Sequence, residues 1–400
     1  MKILVVANLY PPLHVGGYEL GCRDVVEKLR LRGHEARVLT STWGVDKNLP
    51  GPDAAGVERL LRMEPGRFGR GKWEECRKFG RLVKKFQPDI VYFWNQGGLC
   101  NWLPVYARLL RCRMAFFLSD TNFATWRVGA FLGSLGVTDV PATAGKRFLR
   151  GLLGNTILVR GYPVMQNQAC HFASRFLKEW GEAKGVRPAE EHSIVAHWGI
   201  DPGLFAVAPR ERWPVRLLLY AGQVIPEKGV HTAISAVGLL ARAPGMEPLS
   251  LDIAGICQYP DYEKKLRDLA AGLGIAERVR FLGRVPRDQI AAVYREHDVL
   301  VFPSEWDEPF AITPLEAATA GMAIVGTVTG GSGEFFRDRE TAMVFEAGNA
   351  RSCADAIRTL ADDRGLFESI RANAAREVAA RHTLEGMVDA IEKALLKSLA

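Results

Sequence analysis

The stretch Val299–Gly331, VLVFPSEWDEPFAITPLEAATAGMAIVGTVTGG, decides the fold of this 400-residue chain. Its opening apolar run, Val299–Phe302, reads as a buried strand. A loop follows, with Pro303 and the acidic residues Glu305, Asp307 and Glu308. Thr313-Pro314-Leu315-Glu316 then has the form of a helix start. Thr313 is the expected N-cap, Pro314 the first helical residue, and Glu316 closes a capping box. A second apolar run, Ala323–Gly326, leads to Gly330-Gly331. Strand, loop, helix and strand make one βαβ unit, and doubly wound sheets bind ligands outside the carboxyl ends of such strands.

Glu308 and Glu316 stand eight residues apart, one in the loop and one in the first helical turn. Ionised carboxylates only accept hydrogen bonds, so the pair suits a ligand rich in hydroxyls. Free N–H groups at the helix start beside them suit phosphate. Hydroxyls with phosphate describe a nucleotide sugar. Two plainer readings stay open on spacing alone: Glu316 completes its own capping box, and Glu308 is structural.

The run Glu308-Pro-Phe-Ala-Ile-Thr-Pro-Leu-Glu316 resembles the E-x7-E signature of retaining glycosyltransferases with the GT-B fold, in particular family 4, the glycosyl transferases group 1. The segment from Gly321-Met-Ala-Ile-Val to Gly330-Gly-Ser-Gly-Glu334 is similar to the rest of that family's donor site, and the resemblance is strong from Leu217 to Asp363. It implies an α/β chain of two Rossmann-like, doubly wound domains facing across a cleft. Residues 1–205 would bind the acceptor, residues 206–382 the nucleotide sugar, and a C-terminal helix in 383–400 would cross back to the first domain. Glu308 would hold sugar hydroxyls and Glu316 ribose hydroxyls. Phe310, Ala311 and Ile312, with Thr313 beside them, would present backbone amides to sugar or phosphate. Arg284-Val285 would read the base through backbone groups.

Composition sets wider bounds. At 48% hydrophobic the chain can fill two cores, and its formal charge of +7 fits anionic small ligands or a membrane surface without requiring nucleic acid. No apolar stretch reaches the ~18 residues of a membrane-spanning helix. The N-terminal run MKILVV is read as a first strand rather than a signal-peptide core. Cys22, Cys76, Cys100, Cys112, Cys170, Cys257 and Cys353 are scattered, odd in number and without a C-x-x-C pair. Reduced thiols in a cytoplasmic protein are expected, with no zinc site.

In the first half, Lys2–Ala7 is a strand, Tyr18–Arg32 an amphipathic helix and Ala36–Thr40 the next strand. Gly16-Gly17 in the first crossover lets backbone approach a diphosphate. Residues alone leave an ordinary loop open there, whereas the resemblance assigns the pair to donor phosphates. Trp43–Gly71 is expected to be irregular, and Lys72–Phe86 to be a basic helix that is either a solvated face or an interfacial one resting on anionic lipid. Strands are expected at Pro88–Trp94 and Met114–Leu118. Many family members carry a histidine at the second strand end beside an aspartate. Here Ser119 takes the histidine position and Asp120 keeps the acidic one, so Asp120 is carried over as an acceptor-side catalytic residue. Residues 123–165, apolar with interspersed Lys and Arg, either wall an acceptor site, touch a membrane or pack on the core.

His171 and His197 are more simply structural than catalytic. Leu217–Tyr220 is a strand ending at Ala221-Gly222-Gln223, with Lys228 at the following helix start, a cation placed where phosphate would meet that helix. Gln223 replaces an arginine usual in the family, leaving charge neutralisation to Lys228 and helix dipoles. Leu251–Gly255 and Val279–Leu282 are strands, Tyr262–Leu273 and Asp288–His297 helices. Three helices, near Cys353–Asp362, Gly365–Arg381 and Leu384–Ser398, close the chain.

The resemblance implies a metal-independent, retaining transferase that takes a UDP-sugar, or next a GDP-sugar, to a glycan, lipid-linked or small-molecule hydroxyl. Peripheral contact with the inner face of a membrane is compatible. Two alternatives compete: a catalytically silent nucleotide-sugar binder, suggested by Ser119 and Gln223, and a nicotinamide-dependent dehydrogenase. No G-x-G-x-x-G follows any strand, which counts against the dehydrogenase.

Overall fold

The computed structural model describes residues 1–44, 55–64, 70–121, 123, 127–128, 162–163, 165–205 and 211–400. The chain divides into two compact units, Met1–Ala196 with Val388–Ala400, and His197–Met387.

The first unit begins with strand β1 (Lys2–Val6), helix α1 (Gly17–Leu31) and strand β2 (Glu35–Ser41), followed by β3 (Val57–Leu61) and helix α2 (Arg70–Phe86). Then come β4 (Ile90–Phe93), α3 (Leu103–Leu109), β5 (Met114–Leu118), and β6 (Arg127–Val128), which pairs antiparallel with β7 (Tyr162–Pro163). β8 (Ala169–Phe172), α4 (Arg175–Ala183) and β9 (Ile194–Val195) follow. The main sheet has the order β3-β2-β1-β4-β5-β8-β9, and every neighbouring pair is parallel. β4 and β5 are buried at every position, as parallel strands covered on both faces must be.

In the second unit α5 (Pro202–Phe205), β10 (Leu217–Ala221), α6 (Val230–Leu240), β11 (Ser250–Ala254), α7 (Pro260–Gly272) and β12 (Val279–Gly283) form one half. The other half is α8 (Ile290–Glu296), β13 (Val299–Phe302), α9 (Thr313–Thr319), β14 (Ala323–Thr327), β15 (Met343–Phe345), α10 (Ala350–Asp362) and α11 (Arg364–Arg381). Helix α12 (Leu384–Lys397) ends the chain. The order β12-β11-β10-β13-β14-β15 repeats the pattern of the first unit, again all parallel. In each sheet the winding reverses once, between β1 and β4 and between β10 and β13, and ligands of such sheets bind at that switch. The C-terminal residues pack within the first unit, where Arg32 Nη1 donates to Glu392 Oε2 at 2.6 Å.

Two expectations need correction. The stretch expected to be irregular contains β3, paired parallel with β2. Val57–Leu61 is a half-exposed edge strand without apolar alternation, so its pairing with β2 rather than local pattern makes it a strand. The capping box at α9 does not form. The N-cap position falls on Ile312 with no side-chain bond, and the Glu316 carboxylate is engaged elsewhere. Most of 123–165 lies outside the described residues. All seven cysteines are free thiols. Among the described residues no helix is long and apolar enough to cross a membrane.

His171 lies in mid-strand β8, fully buried, with Nδ1 2.8 Å from the Tyr92 hydroxyl. It is a core residue. Burial pushes its pKa down to about 3, so the folded protein resists its protonation. Unfolded chains take up that proton near pH 6.5. Stability is therefore complete above about pH 6.5 and falls at up to about 1.4 kcal/mol per pH unit toward pH 3. Chemical denaturation at pH 7 and pH 5 should show this slope in the wild type and a shallower one in His171→Gln; equal slopes would assign the acid sensitivity to other groups.

Candidate functional site

At the switch point of the second sheet, β10 ends at Ala221 and the chain turns through Gly222, Gln223 and a 3-10 turn, Pro226–Lys228, before α6. The loop after β13 carries Ser304 and Glu308. Lys228 Nζ donates to Glu308 Oε1 at 2.6 Å, and Ser304 Oγ donates to the same oxygen at 2.5 Å. The Glu308 side chain is 7% exposed and that of Lys228 23%, so the pair is shielded on one side and reachable from the other. Such charge-assisted bonds contribute about 1.5–3 kcal/mol each.

Backbone geometry fixes this pair. Gly229 has φ +64°, and a Cβ there would sit 1.9 Å from the Pro303 carbonyl oxygen. The Glu305 N–H donates to Glu227 O at 2.9 Å, tying the two loops directly. After β14, Gly330 has φ +52°, and its Cβ would fall 2.5 Å from Glu308 O. Gly331 N–H donates to that same oxygen at 2.6 Å. Thr327 Oγ1 donates to Ser304 O at 2.6 Å, so β14 also clamps the residue that bonds the Glu308 carboxylate.

Glu316 is buried at 3% exposure. Its Oε1 accepts from Arg287 Nη1 and its Oε2 from the Tyr294 hydroxyl at 2.8 Å. Burial, with the Glu316 charge adding to it, drives the Tyr294 phenol well above its usual pKa and keeps it a donor. The Arg287 guanidinium also lies 4.9 Å above the Phe205 ring. Thus Glu316 belongs to a side-chain network rather than to its own helix cap. With about four lone-pair sites on a carboxylate, two remain for further donors.

Among the other predicted residues, Phe310 is buried, its ring 5.1 Å from His197 and 5.5 Å from His382. Ala311, Ile312 and Thr313 lead from it into α9. Gln223 is half-buried, and its carbonyl accepts from Tyr220 Oη at 2.5 Å. Arg284 and Val285 follow β12, whose Gly283 carbonyl accepts from Gly255 N–H at 2.8 Å, on the carboxyl side of the sheet. His197 Nε2 lies 2.7 Å from Glu334 Oε2. Arg287, Tyr294 and His197 carry no local sequence signal, because chain segments far apart bring them to the carboxylates, and Ser304 is a single hydroxyl in the acidic loop with no pattern to mark it. Glu334 alone had one, at the end of Gly330-Gly-Ser-Gly-Glu334. Burial, with the neighbouring His197 next, lowers the pKa of His382 to about 4.

In the first unit, Gly16 precedes α1 and its N–H donates to Glu19 Oε2 at 2.9 Å, with Gly17 opening the helix. Asn8, after β1, donates through Nδ2 to Gly97 O at 3.1 Å, joining the ends of β1 and β4. Burial above all, then Glu19 and last Asp120, raise the Tyr18 phenol pKa. Asp120 follows β5 and the Gly16-Gly17 loop follows β1, so both lie at the carboxyl end of the first, parallel sheet. Among the described residues no group of three or more His, Cys, Asp or Glu is placed to hold a metal ion.

Residues 210–377 match the family described as glycosyl transferases group 1. Over 401 residues the chain is 35% identical to the glycogen synthase of Mycobacterium tuberculosis, covering 94% of this chain and 90% of that one. It is 25% identical over 405 residues to an uncharacterized glycosyltransferase of Methanocaldococcus jannaschii, with 97% and 96% covered. Anabaena HepE in complex with UDP and glucose superposes with a TM-score of 0.70 at 19% identity, over 99% of both chains. The shared fold is GT-B, with two Rossmann-like domains.

Gly330→Ala forces a Cβ into the Glu308 backbone at a left-handed φ. A loss of about 1–3 kcal/mol in stability is expected, read by urea denaturation; an unchanged midpoint would show that the loop after β14 does not fix Glu308.

Proposed function

Because the chain belongs to the group 1 glycosyltransferases, we propose that it moves a sugar from a nucleotide-sugar donor to a hydroxyl acceptor, with retention of configuration and without a metal. The observation that carries this reading is the Lys228–Glu308 pair at the switch point of the second sheet. A donor diphosphate competes with Glu308 for the Lys228 ammonium, and the sugar hydroxyls then take over the released carboxylate. Glu316, with two acceptor sites left, receives the ribose hydroxyls. Backbone amides of Phe310, Ala311, Ile312 and Thr313 serve sugar or phosphate, and Arg284-Val285 the base.

In the reaction the bond from the anomeric carbon to the diphosphate oxygen breaks, and the acceptor oxygen bonds to that carbon on the same face. The acceptor proton passes to the departing phosphate oxygen. Lys228 and the Gln223 amide stabilise the leaving diphosphate, an electrostatic role that needs no protein nucleophile. Gly16, Gly17 and Asp120 serve the reaction from the first unit, Asp120 toward the acceptor.

A UDP-sugar is the favoured donor, in line with the UDP and glucose bound by the HepE neighbour, and a GDP-sugar is next. The acceptor class is a glycan, a lipid-linked glycan or a small metabolite. Peripheral contact with an anionic membrane would use the exposed Trp73 and Lys85 of α2.

Ser119 in the family's histidine position and uncharged Gln223 favour a second reading, a nucleotide-sugar binder without turnover. Incubation with radiolabelled UDP-glucose and UDP-N-acetylglucosamine separates the two, since only the transferase releases UDP, even by slow hydrolysis. Glu308→Gln should lower that release by about a hundredfold or more with little change in melting temperature. A large melting shift with intact turnover would make Glu308 structural. Lys228→Ala should weaken UDP binding by about 1.5–3 kcal/mol in calorimetric titration, and unchanged affinity would remove Lys228 from the phosphate site.

A further inference from the structure

We propose that the first unit holds a second anion site, unrelated to the donor residues: a groove that binds a compact, soluble, phosphate-bearing anion of diphosphate or triphosphate size. The groove has a volume of about 800 Å³ and lies between α2, α3 and the turns leading into β4 and β5. Those turns are at the amino ends of the strands, so the groove opens at the opposite end of the sheet from Asn8 and Asp120.

Five cations line it, Arg77, Arg81, Lys84, Arg111 and Arg113, against one carboxylate, Asp89. That carboxylate already accepts from the Lys2 N–H at 2.6 Å. Arg113 donates to the Ser398 and Leu399 carbonyls. The side chains of Arg77, Arg81, Lys84 and Arg111 form no ion pair among the described residues, and all four are exposed. The plain alternative is that these cations only complement the C-termini of α2 and α3. A helix C-terminus is equivalent to about half a negative charge. Two termini and Asp89 together leave roughly three positive charges uncompensated, about the charge of a diphosphate or triphosphate.

The backbone is also shaped for the groove. Gln87 and Arg111, at the two turns, adopt φ +50° and +58°. Glycine would take that conformation without strain, yet both positions carry long polar side chains that line the groove. In mid-helix α2, Gly80 admits the Tyr106 ring, since a Cβ there would lie 2.8 Å from Tyr106 Cε1. Tyr106, Val83 and Leu110 form the apolar part of the wall. The concave shape and the cluster of cations together favour a small polyanion over a flat surface.

Calorimetric titration with sodium tripolyphosphate tests this on the full chain. Wild type should bind, with affinity falling steeply as salt rises. Lys228→Ala, which removes the cation that would draw tripolyphosphate into the donor site, should retain the groove's share of binding, and the following double variant is made in that background. Arg81→Glu combined with Arg111→Asn should weaken binding about tenfold or more while shifting the melting temperature by only about 2 °C or less. Three results would overturn the proposal: no binding by wild type, binding lost in Lys228→Ala or unweakened by the added groove substitutions, or sedimentation with phosphatidylglycerol vesicles without any tripolyphosphate binding. The last would assign the cations to a membrane face. None of the three touches the transferase reading, which rests on release of UDP.

Discussion

The 2.6 Å contact between the Lys228 ammonium and the Glu308 carboxylate joins two loops that leave adjacent strands of the second sheet. It exists because two positions carry no Cβ. Gly229 lets the loop after β10 touch the Pro303 carbonyl, and Gly330 lets the loop after β14 touch Glu308 itself. Hydrogen bonds from Gly331 N–H, Ser304 and Thr327 then hold the acidic loop from behind. A charged pair so shielded is costly to assemble and retains its geometry once assembled. The remaining features of the candidate donor site, from Glu316 to Phe310, follow on the same loop and helix.

Both units use one strand order and place their polar residues at the same reversal of winding, with different chemistry. The second unit gathers opposite charges and partners them, Lys228 with Glu308 and Arg287 with Glu316, and adds the His197–Glu334 hydrogen bond. The first unit gathers neutral donors and acidic groups. Burial raises the pKa of both Tyr18 and Glu19, which favours their protonated forms beside Asn8 and Asp120. The opposite end of the first sheet has a third character, cationic, with five cations against the single carboxylate of Asp89 in the groove lining.

Local sequence determined the strands and helices that bury an apolar face in register with their period. β5 spans Met114–Leu118 as read from its apolar run, and β13 spans Val299–Phe302. It also determined Glu308, Lys228 and Glu316 as site candidates, since loop, turn and helix start each impose a spacing the chain must respect. Tertiary structure alone decided what those residues touch. Glu316 looks like a cap in sequence, yet Arg287 and Tyr294, 29 and 22 residues away, take its carboxylate. β3 became a strand only by pairing with β2. His197 met Glu334 across 137 residues. Periodicity and spacing record short-range geometry, whereas a hydrogen bond between distant segments depends on how the sheet orders its strands, and no local pattern encodes that order.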